Sequence, residues 1–288
     1  MTDPRGVLAR DGMAAARLEG ILPARRYVST TRRRIVAPVA PLRRAPRLEA
    51  EQLSQLLFGE TVEVLDVAEG YAFAQSGRDG YVGYVDADCL DPPSAGSPSA
   101  GTASVEADLR VAVLRTYAFT EPSIKSLPQG LYSLNALITP HAREGRFVKA
   151  RDGGWFIAEH LAPLDRFETD PVAVAERFIG TPYLWGGNES LGLDCSGLVQ
   201  QVLRACGLAC PRDSDQQMAL GTPIDPEAGL MRGDLVFWRG HVGFLADSNA
   251  LLHANGHHMA VVVEPLDEAI RRIEAAGSGQ PTAWRRLA

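Results

Sequence analysis

The 288-residue sequence contains no run of about 18 apolar residues, so no membrane-spanning helix is expected. Its start, MTDPRGVLARDGMAAARLEG, has no apolar core of the length a secretory signal needs, because acids and arginines interrupt it. Cysteine is scarce: Cys89, Cys195, Cys206 and Cys210 form no disulfide-dense framework. These features fit a reducing cytoplasm, the expected location, although leaderless export is compatible with them. A net charge of −6 argues against a protein built to coat nucleic acid or an anionic membrane. Trp185-Gly-Gly-Asn lacks the Lys-Ser/Thr and the preceding strand of a phosphate loop. Cys206 and Cys210 stand near His257-His258 in neither a Cys-x-x-Cys spacing nor a place where a metal would serve a catalytic step, so no metal and no cofactor is expected.

What charge there is lies unevenly. Residues 1–47 carry eleven Arg, no Lys and only Asp3, Asp11 and Glu19, about +8 in all, which leaves about −14 for the rest. The reading is an arginine-bearing extension that packs on an acidic body, with neither nucleic acid nor membrane as partner.

Residues 91–104, DPPSAGSPSAGTAS, have no large apolar side chain and cannot bury enough surface to order themselves. Before this stretch, apolar runs of strand length (Arg34–Val39, Glu60–Val67, Tyr71–Gln75, Tyr81–Val85) alternate with turn residues, the rhythm of a small all-β barrel. After it, Ser104–Val113, Gly130–Ile138, Phe147–Ala150 and Trp155–Ala158 repeat that rhythm, as a divergent tandem repeat would. From about residue 170 the pattern changes to helices at Val172–Ile179 and from Cys195 to Arg204, strands at Asp234–Trp238, Val242–Ala246, Ala250–His253 and Ala260–Glu264, and a helix at Asp267–Ala276. The expected fold is α+β. A partly helical arm (1–30), a first β domain (31–92), a linker (93–103) and a second β domain (104–166) precede an α+β domain (167–288).

Cys195 stands where a Gly-rich loop becomes a helix. Unpaired N–H groups and the positive end of the helix dipole are expected to lower its pKa. His241 and His253 fall on successive strands joined by a short turn, which would bring the two imidazoles side by side, one as base and the other fixing its tautomer. Alone, each of these residues is commonplace: a small buried thiol, a turn histidine, a hydrogen-bonded core histidine. Asp234 reads as a hydrogen-bonding residue at a strand start.

The surrounding sequence is more specific. Pro182-Tyr-x-Trp-Gly-Gly, Asp194-Cys195-Ser196-Gly197-Leu-Val, Arg232-Gly-Asp-Leu-Val-Phe-Trp238, His241-Val-Gly and Leu252-His253-Ala254 occur in an order and spacing that strongly resemble the NlpC/P60 family of papain-like cysteine peptidases. The resemblance implies Cys195 as nucleophile, His241 as base, His253 as the residue that orients it and Tyr183 beside the oxyanion. It also implies the γ-D-glutamyl bond to a diamino acid in peptidoglycan stem peptides as the usual substrate. Leu56-Leu-Phe-Gly-Glu60 and Asp79-Gly-Tyr-Val-Gly-Tyr-Val85 resemble the first bacterial SH3-like module of the dipeptidyl-peptidase VI (YkfC-like) subgroup. The segment between Glu60 and Tyr81 is short for that pattern, and Tyr84 stands where Trp is common. By that resemblance two SH3-like barrels precede the peptidase domain, and the first restricts the groove to peptides with a free N-terminal L-Ala. Tyr81, Glu60, Ser196 and Asp213 then recognise the ammonium and Trp185 forms part of the pocket wall. Tyr81 could equally be a barrel aromatic, Glu60 a surface strand residue and Asp213 a helix cap. The expectation is a γ-D-glutamyl-L-diamino acid endopeptidase that recycles free muropeptides. The alternatives are an amidase or acyltransferase with the same Cys–His pair, or a non-catalytic wall-binding protein.

Overall fold

The computed structural model describes residues 3–92 and 107–287. The linker expected at 93–103, and the beginning of the strand expected from Ser104, lie outside the described residues. The chain divides into two compact units, Met1–Leu164 and Asp165–Ala288.

The first unit is all β apart from single 3-10 turns. Its first barrel is a six-stranded sheet in the order Thr31–Arg34, Thr61–Ala68, Tyr71–Ser76, Val82–Asp86, Val39–Arg43, Gln52–Leu57. Period-two alternation sends Val62, Val64, Ala72, Ala74 and Val85 inward onto Ile35, Leu42 and Leu56. The strand expected over 34–39 is broken, because Ile35 leaves the ladder to bridge Leu90 and a new strand begins only at Val39, after Pro38. The second barrel combines the five strands Pro128–Ser133, Arg115–Phe119, Trp155–Ile157, Phe147–Ala150 and Pro140–Glu144 with the three strands Leu137–Ile138, Leu109–Val111 and Leu161–Pro163. Leu57 and Phe58, at the end of a first-barrel strand, enter its core beside Tyr132 and Phe156. At Gly59 (φ +80°) a Cβ would stand 2.1 Å from the Leu137 carbonyl oxygen, so only glycine allows the two barrels this close.

The partly helical arm is a correction. Only the 3-10 turns Pro4–Gly6 and Ala16–Leu18 are helical, and Ala9–Arg10, Met13–Ala15 and Arg26–Val28 form a small sheet. Leu8 and Ala15 pack on Leu65 and Phe73 of the first barrel, and this tertiary contact overrides a weak helical pattern. One arm arginine, Arg10, lies over the Phe73 and Tyr84 rings and donates to Asp66 Oδ2 and the Tyr84 hydroxyl at 2.7 Å.

The second unit is α+β. Helices α1 (Pro171–Glu176), α2 (Cys195–Ala205), α3 (Ser214–Gln217) and α4 (Leu266–Ala275) surround a six-stranded sheet of β1 (Thr222–Pro223), β2 (Leu235–Trp238), β3 (His241–Leu245), β4 (Ala250–Asn255), β5 (Ala260–Pro265) and β6 (Ala283–Arg286), in the order β1-β6-β2-β3-β4-β5. The helix expected over 172–179 ends earlier, at Glu176. Leu198, Val199, Val202 and Leu203 of α2 are fully buried, the helical stripe read from the sequence. Asp234 is clamped by Arg286 Nε and Nη2 at 2.7 and 2.6 Å and accepts from the Met231 N–H, so it fastens β2 to the C-terminal strand.

Candidate active site

Cys195 is the first residue of α2, and Asp194 is its N-cap, accepting from the Gly197 N–H at 2.7 Å. A Cβ at Gly197 would lie 2.1 Å from the Gly187 carbonyl oxygen, so two glycines seat the Gly-rich loop directly on the helix tip. Asn188, Gln200 and Gln201 tie the same loop to α2: Asn188 Nδ2 donates to Gln200 Oε1 at 2.5 Å, and Gln201 Nε2 to the Asn188 carbonyl at 2.8 Å.

The thiol touches the next element through the residues on either side of His241. Sγ lies 3.9 Å from the Gly240 carbonyl oxygen, and the Val242 N–H points to it. His241 opens β3, and His253 stands on β4. His241 Nε2 is 2.7 Å from His253 Nδ1, with the rings nearly edge to face. Gly243 makes this possible, because a Cβ there would meet the His253 Cβ at 2.9 Å.

The chain of contacts does not stop at His253. Its Nε2 lies 2.7 Å from Glu264 Oε1, and Glu264 is itself paired with Arg272 of α4. On the β4–β5 ladder His253 pairs with Val262, so Glu264 is its diagonal neighbour on the same face. An ionised carboxylate only accepts, so His253 carries its proton on Nε2 and offers Nδ1 as acceptor. His241 then donates from Nε2, and its Nδ1 is the bare nitrogen. His253 is fully buried.

Neither partner is charged at rest. Burial, with Asp194 adding to it, pushes the Cys195 thiol up to about 12, against smaller lowering by the Val242 and Ser196 N–H groups. The expectation that the helix tip would lower this pKa is therefore overturned: burial and the charge of the N-cap carboxylate outweigh the N–H groups at the helix tip. Burial, then His253 and Arg272, lowers His241 to about 3. Burial likewise lowers His253, while for Glu264 burial acts upward and is outweighed by hydrogen bonds and charge from His253 and Arg272, which bring it to about 2.

These shifts set a stability window. His241 and Glu264 are depressed in the fold, so their contribution is present above their ordinary values (6.5 and 4.5) and is lost as pH falls toward about 3 and about 2. Cys195 is raised, so its contribution is present below 9.0 and is lost as pH rises toward about 12. Urea midpoints followed by tryptophan fluorescence are expected to be highest near about pH 7.5 and lower near about pH 4 and about pH 10.5. A midpoint that rises from about pH 7.5 to about pH 4 would contradict these burial shifts.

Around the pair, Arg212 is 1% exposed and binds Asp194 with both Nη atoms, while its Nη1 donates to the Ser196 hydroxyl at 2.7 Å. Tyr183 follows the bridge Pro182–Ala260 and is itself bridged to Leu193, two residues from the nucleophile. Burial, then Cys195 and Asp194, raises its phenol pKa. Trp185 is 63% exposed on the same loop. Asp213 is half-buried at the N-cap position of α3, as the helix-cap reading has it, though its side chain makes no capping bond.

Tyr81 and Glu60, two of the residues expected to bind substrate, are both buried. Tyr81 is 8% exposed within the core of the first barrel, the barrel-aromatic role. Glu60 is 2% exposed, so it is not a surface strand residue. It accepts from Arg78 Nη1 at 3.0 and 3.1 Å and from the Leu57 N–H. The sequence reading missed Glu264, Asn255, Arg272 and Arg212. Among the described residues no group of three or more His, Cys, Asp or Glu could hold a metal ion, and no helix is long and apolar enough to cross a membrane.

Residues 180–275 match the NlpC/P60 family model, and residues 42–90 match that of the bacterial dipeptidyl-peptidase SH3 domain. A γ-D-glutamyl-L-lysine dipeptidyl-peptidase of Bacillus cereus is 28% identical over 130 residues, covering 42% of this chain and 38% of that protein. Dipeptidyl-peptidase 6 of Lysinibacillus sphaericus is 36% identical over 114 residues, covering 39% of this chain and 41% of that protein. The chain thus spans about two fifths of the length of these curated relatives. The crystal structure of an NlpC/P60 family protein from Bacillus cereus superposes with a TM-score of 0.72 at 19% identity, covering 89% of this chain and 99% of that one, a likeness of fold.

Proposed function

Because the chain carries an NlpC/P60 domain and a bacterial dipeptidyl-peptidase SH3 domain, we propose that it is a cysteine peptidase of peptidoglycan stem peptides. In this reading it cuts the γ-D-glutamyl bond to a diamino acid in free muropeptides with an N-terminal L-Ala, so that wall fragments are recycled. The observation that carries the proposal is the relay from Glu264 through His253 to His241, with Cys195 held against both neighbours of His241. The names of the two relatives, both dipeptidyl-peptidases, support the substrate class.

In the proposed reaction the Cys195 sulfur attacks the γ-glutamyl carbonyl while its proton passes to His241 Nδ1. A neutral thiol beside a neutral imidazole makes this transfer concurrent with attack. Tyr183 stabilises the developing oxyanion. His241 then protonates the leaving amine, the C–N bond breaks, and a thioester remains on Cys195. His241 next takes a proton from water, whose attack releases the dipeptide and restores the thiol.

A dipeptidyl-peptidase must recognise the substrate's amino terminus, and an ammonium taken from water needs an acidic partner. In this reading Asp213 is the acidic partner of the ammonium, with Trp185 and Ser196 bordering the substrate. Incubation of the purified protein with L-Ala-γ-D-Glu-L-Lys and its diaminopimelate counterpart is expected to release L-Ala-D-Glu, detected by mass spectrometry. The N-acetylated peptide is expected to be cut at least ~100-fold more slowly, because an acetylated nitrogen carries no positive charge for Asp213 to bind. Equal turnover of the two would exclude ammonium recognition. A complete absence of dipeptide would favour an amidase or acyltransferase.

A further inference from the structure

We infer that Glu264 is a positioning residue that sets the direction in which protons run along the His253–His241 relay, in competition with Asn255. This inference rests on the reading of Cys195 and His241 as nucleophile and base.

The observation is that two side chains of opposite hydrogen-bonding character meet one imidazole nitrogen. His253 Nε2 lies 2.7 Å from Glu264 Oε1 and 3.0 Å from Asn255 Nδ2. The Asn255 amide is fixed in that orientation, because its Oδ1 accepts from the His258 N–H at 2.8 Å. The carboxylate demands a proton on Nε2, whereas the amide nitrogen, a donor only, demands a bare Nε2. Arg272 binds the same Oε1 that faces His253, which keeps the carboxylate ionised and in place, and His258 Nδ1 stands 4.0 Å from that oxygen.

The two outcomes have opposite consequences for the base. With Glu264 in control, His253 Nδ1 accepts from His241 Nε2–H, and His241 presents a bare Nδ1 to the thiol. With Glu264 removed, Asn255 donates to His253 Nε2. The proton moves to Nδ1, His241 Nε2 becomes the acceptor, and His241 Nδ1 carries a proton. Such an imidazole can receive nothing from Cys195. One contact two residues removed from the sulfur therefore decides whether His241 is a base.

Long-range 1H–15N spectra of the wild-type protein are expected to show His241 and His253 both protonated on Nε2, with both Nδ1 atoms bare. The reverse pattern overturns the inference without any variant. Glu264→Ala is expected to invert both tautomers and to lower kcat/KM and the rate of Cys195 alkylation by iodoacetamide ~100-fold or more. Glu264→Gln, which can keep an oxygen between Arg272 and His253, is expected to retain the wild-type tautomers and to stay within ~10-fold. Adding Asn255→Ala to Glu264→Ala removes the competing donor and is expected to recover at least ~10-fold. A Glu264→Ala protein with unchanged tautomers, or a double variant no faster than the single one, overturns the proposal. Alkylation and spectra need no peptide substrate. Failure of the peptidase reading would therefore appear as a wild-type protein that cuts nothing, while failure of the relay would leave hydrolysis intact with the tautomers indifferent to residue 264.

Discussion

Cys195→Ala and His241→Ala are each expected to lower kcat/KM on a stem peptide by ~10⁴-fold or more, and the double variant is expected to be no slower than either. Residues that act as one unit are strongly non-additive, since removing either ends the same step. The geometry gives the reason. The sulfur is buried and its pKa is raised to about 12, so hardly any thiolate exists at neutral pH unless a base takes the proton during attack. His241 is kept neutral by burial and by the neighbouring His253 and Arg272, and His253 orients it, so it is ready for that role. A discontinuous mass-spectrometric assay over several orders of magnitude checks this. Multiplicative losses in the double variant would mean that the two side chains act independently.

Arg212→Leu is expected to destabilise the second unit by about 3–5 kcal/mol, the effect of leaving a buried charge without its partner. The Arg212 guanidinium faces the Asp194 carboxylate in a fork, and Asp194 is only 7% exposed. Removing Arg212 strands that carboxylate beside the nucleophile, which raises the thiol further, since Asp194 already acts on it in that direction. Asp194→Asn alongside Arg212→Leu keeps an oxygen to cap α2 and deletes the orphan charge, so the double variant is expected to recover more than half of the lost stability. Urea denaturation by tryptophan fluorescence is suited to the measurement, because Trp185, Trp238 and Trp284 belong to this unit. A loss below about 1 kcal/mol would show that the pair is not the anchor of the helix tip.

The parts of the site visible in the sequence are those that local pattern determines. The loop-to-helix change at Asp194-Cys195 and the two histidines on successive strands could be placed because strand alternation and turn spacing bring them together. Glu264 could have been found by the same means: pairing 250–255 with 260–265 across the turn at 256–259 puts His253 opposite Val262 and Glu264 diagonal to it. Reading Ala260–Glu264 only as a strand end missed that register. Arg272 and Arg212 carry no such signal, since their partners are fixed by how α4 and the segment before α3 pack. Glu60 is buried although charge alone places it at the surface, because Arg78, eighteen positions on, donates to it. The arm was misjudged because its few apolar residues answer to the barrel surface rather than to a helical period.

The central claim is that the Cys195 sulfur becomes acylated by the γ-glutamyl carbonyl. Rapid acid quench during turnover of L-Ala-γ-D-Glu-L-Lys, followed by peptide mapping, addresses it directly. The mapped fragment containing Cys195 is expected to gain one dehydrated L-Ala-D-Glu unit as a thioester, which decays at the rate of dipeptide release. Product formed while Cys195 stays unmodified, or a Cys195→Ala protein that still releases L-Ala-D-Glu, would contradict it.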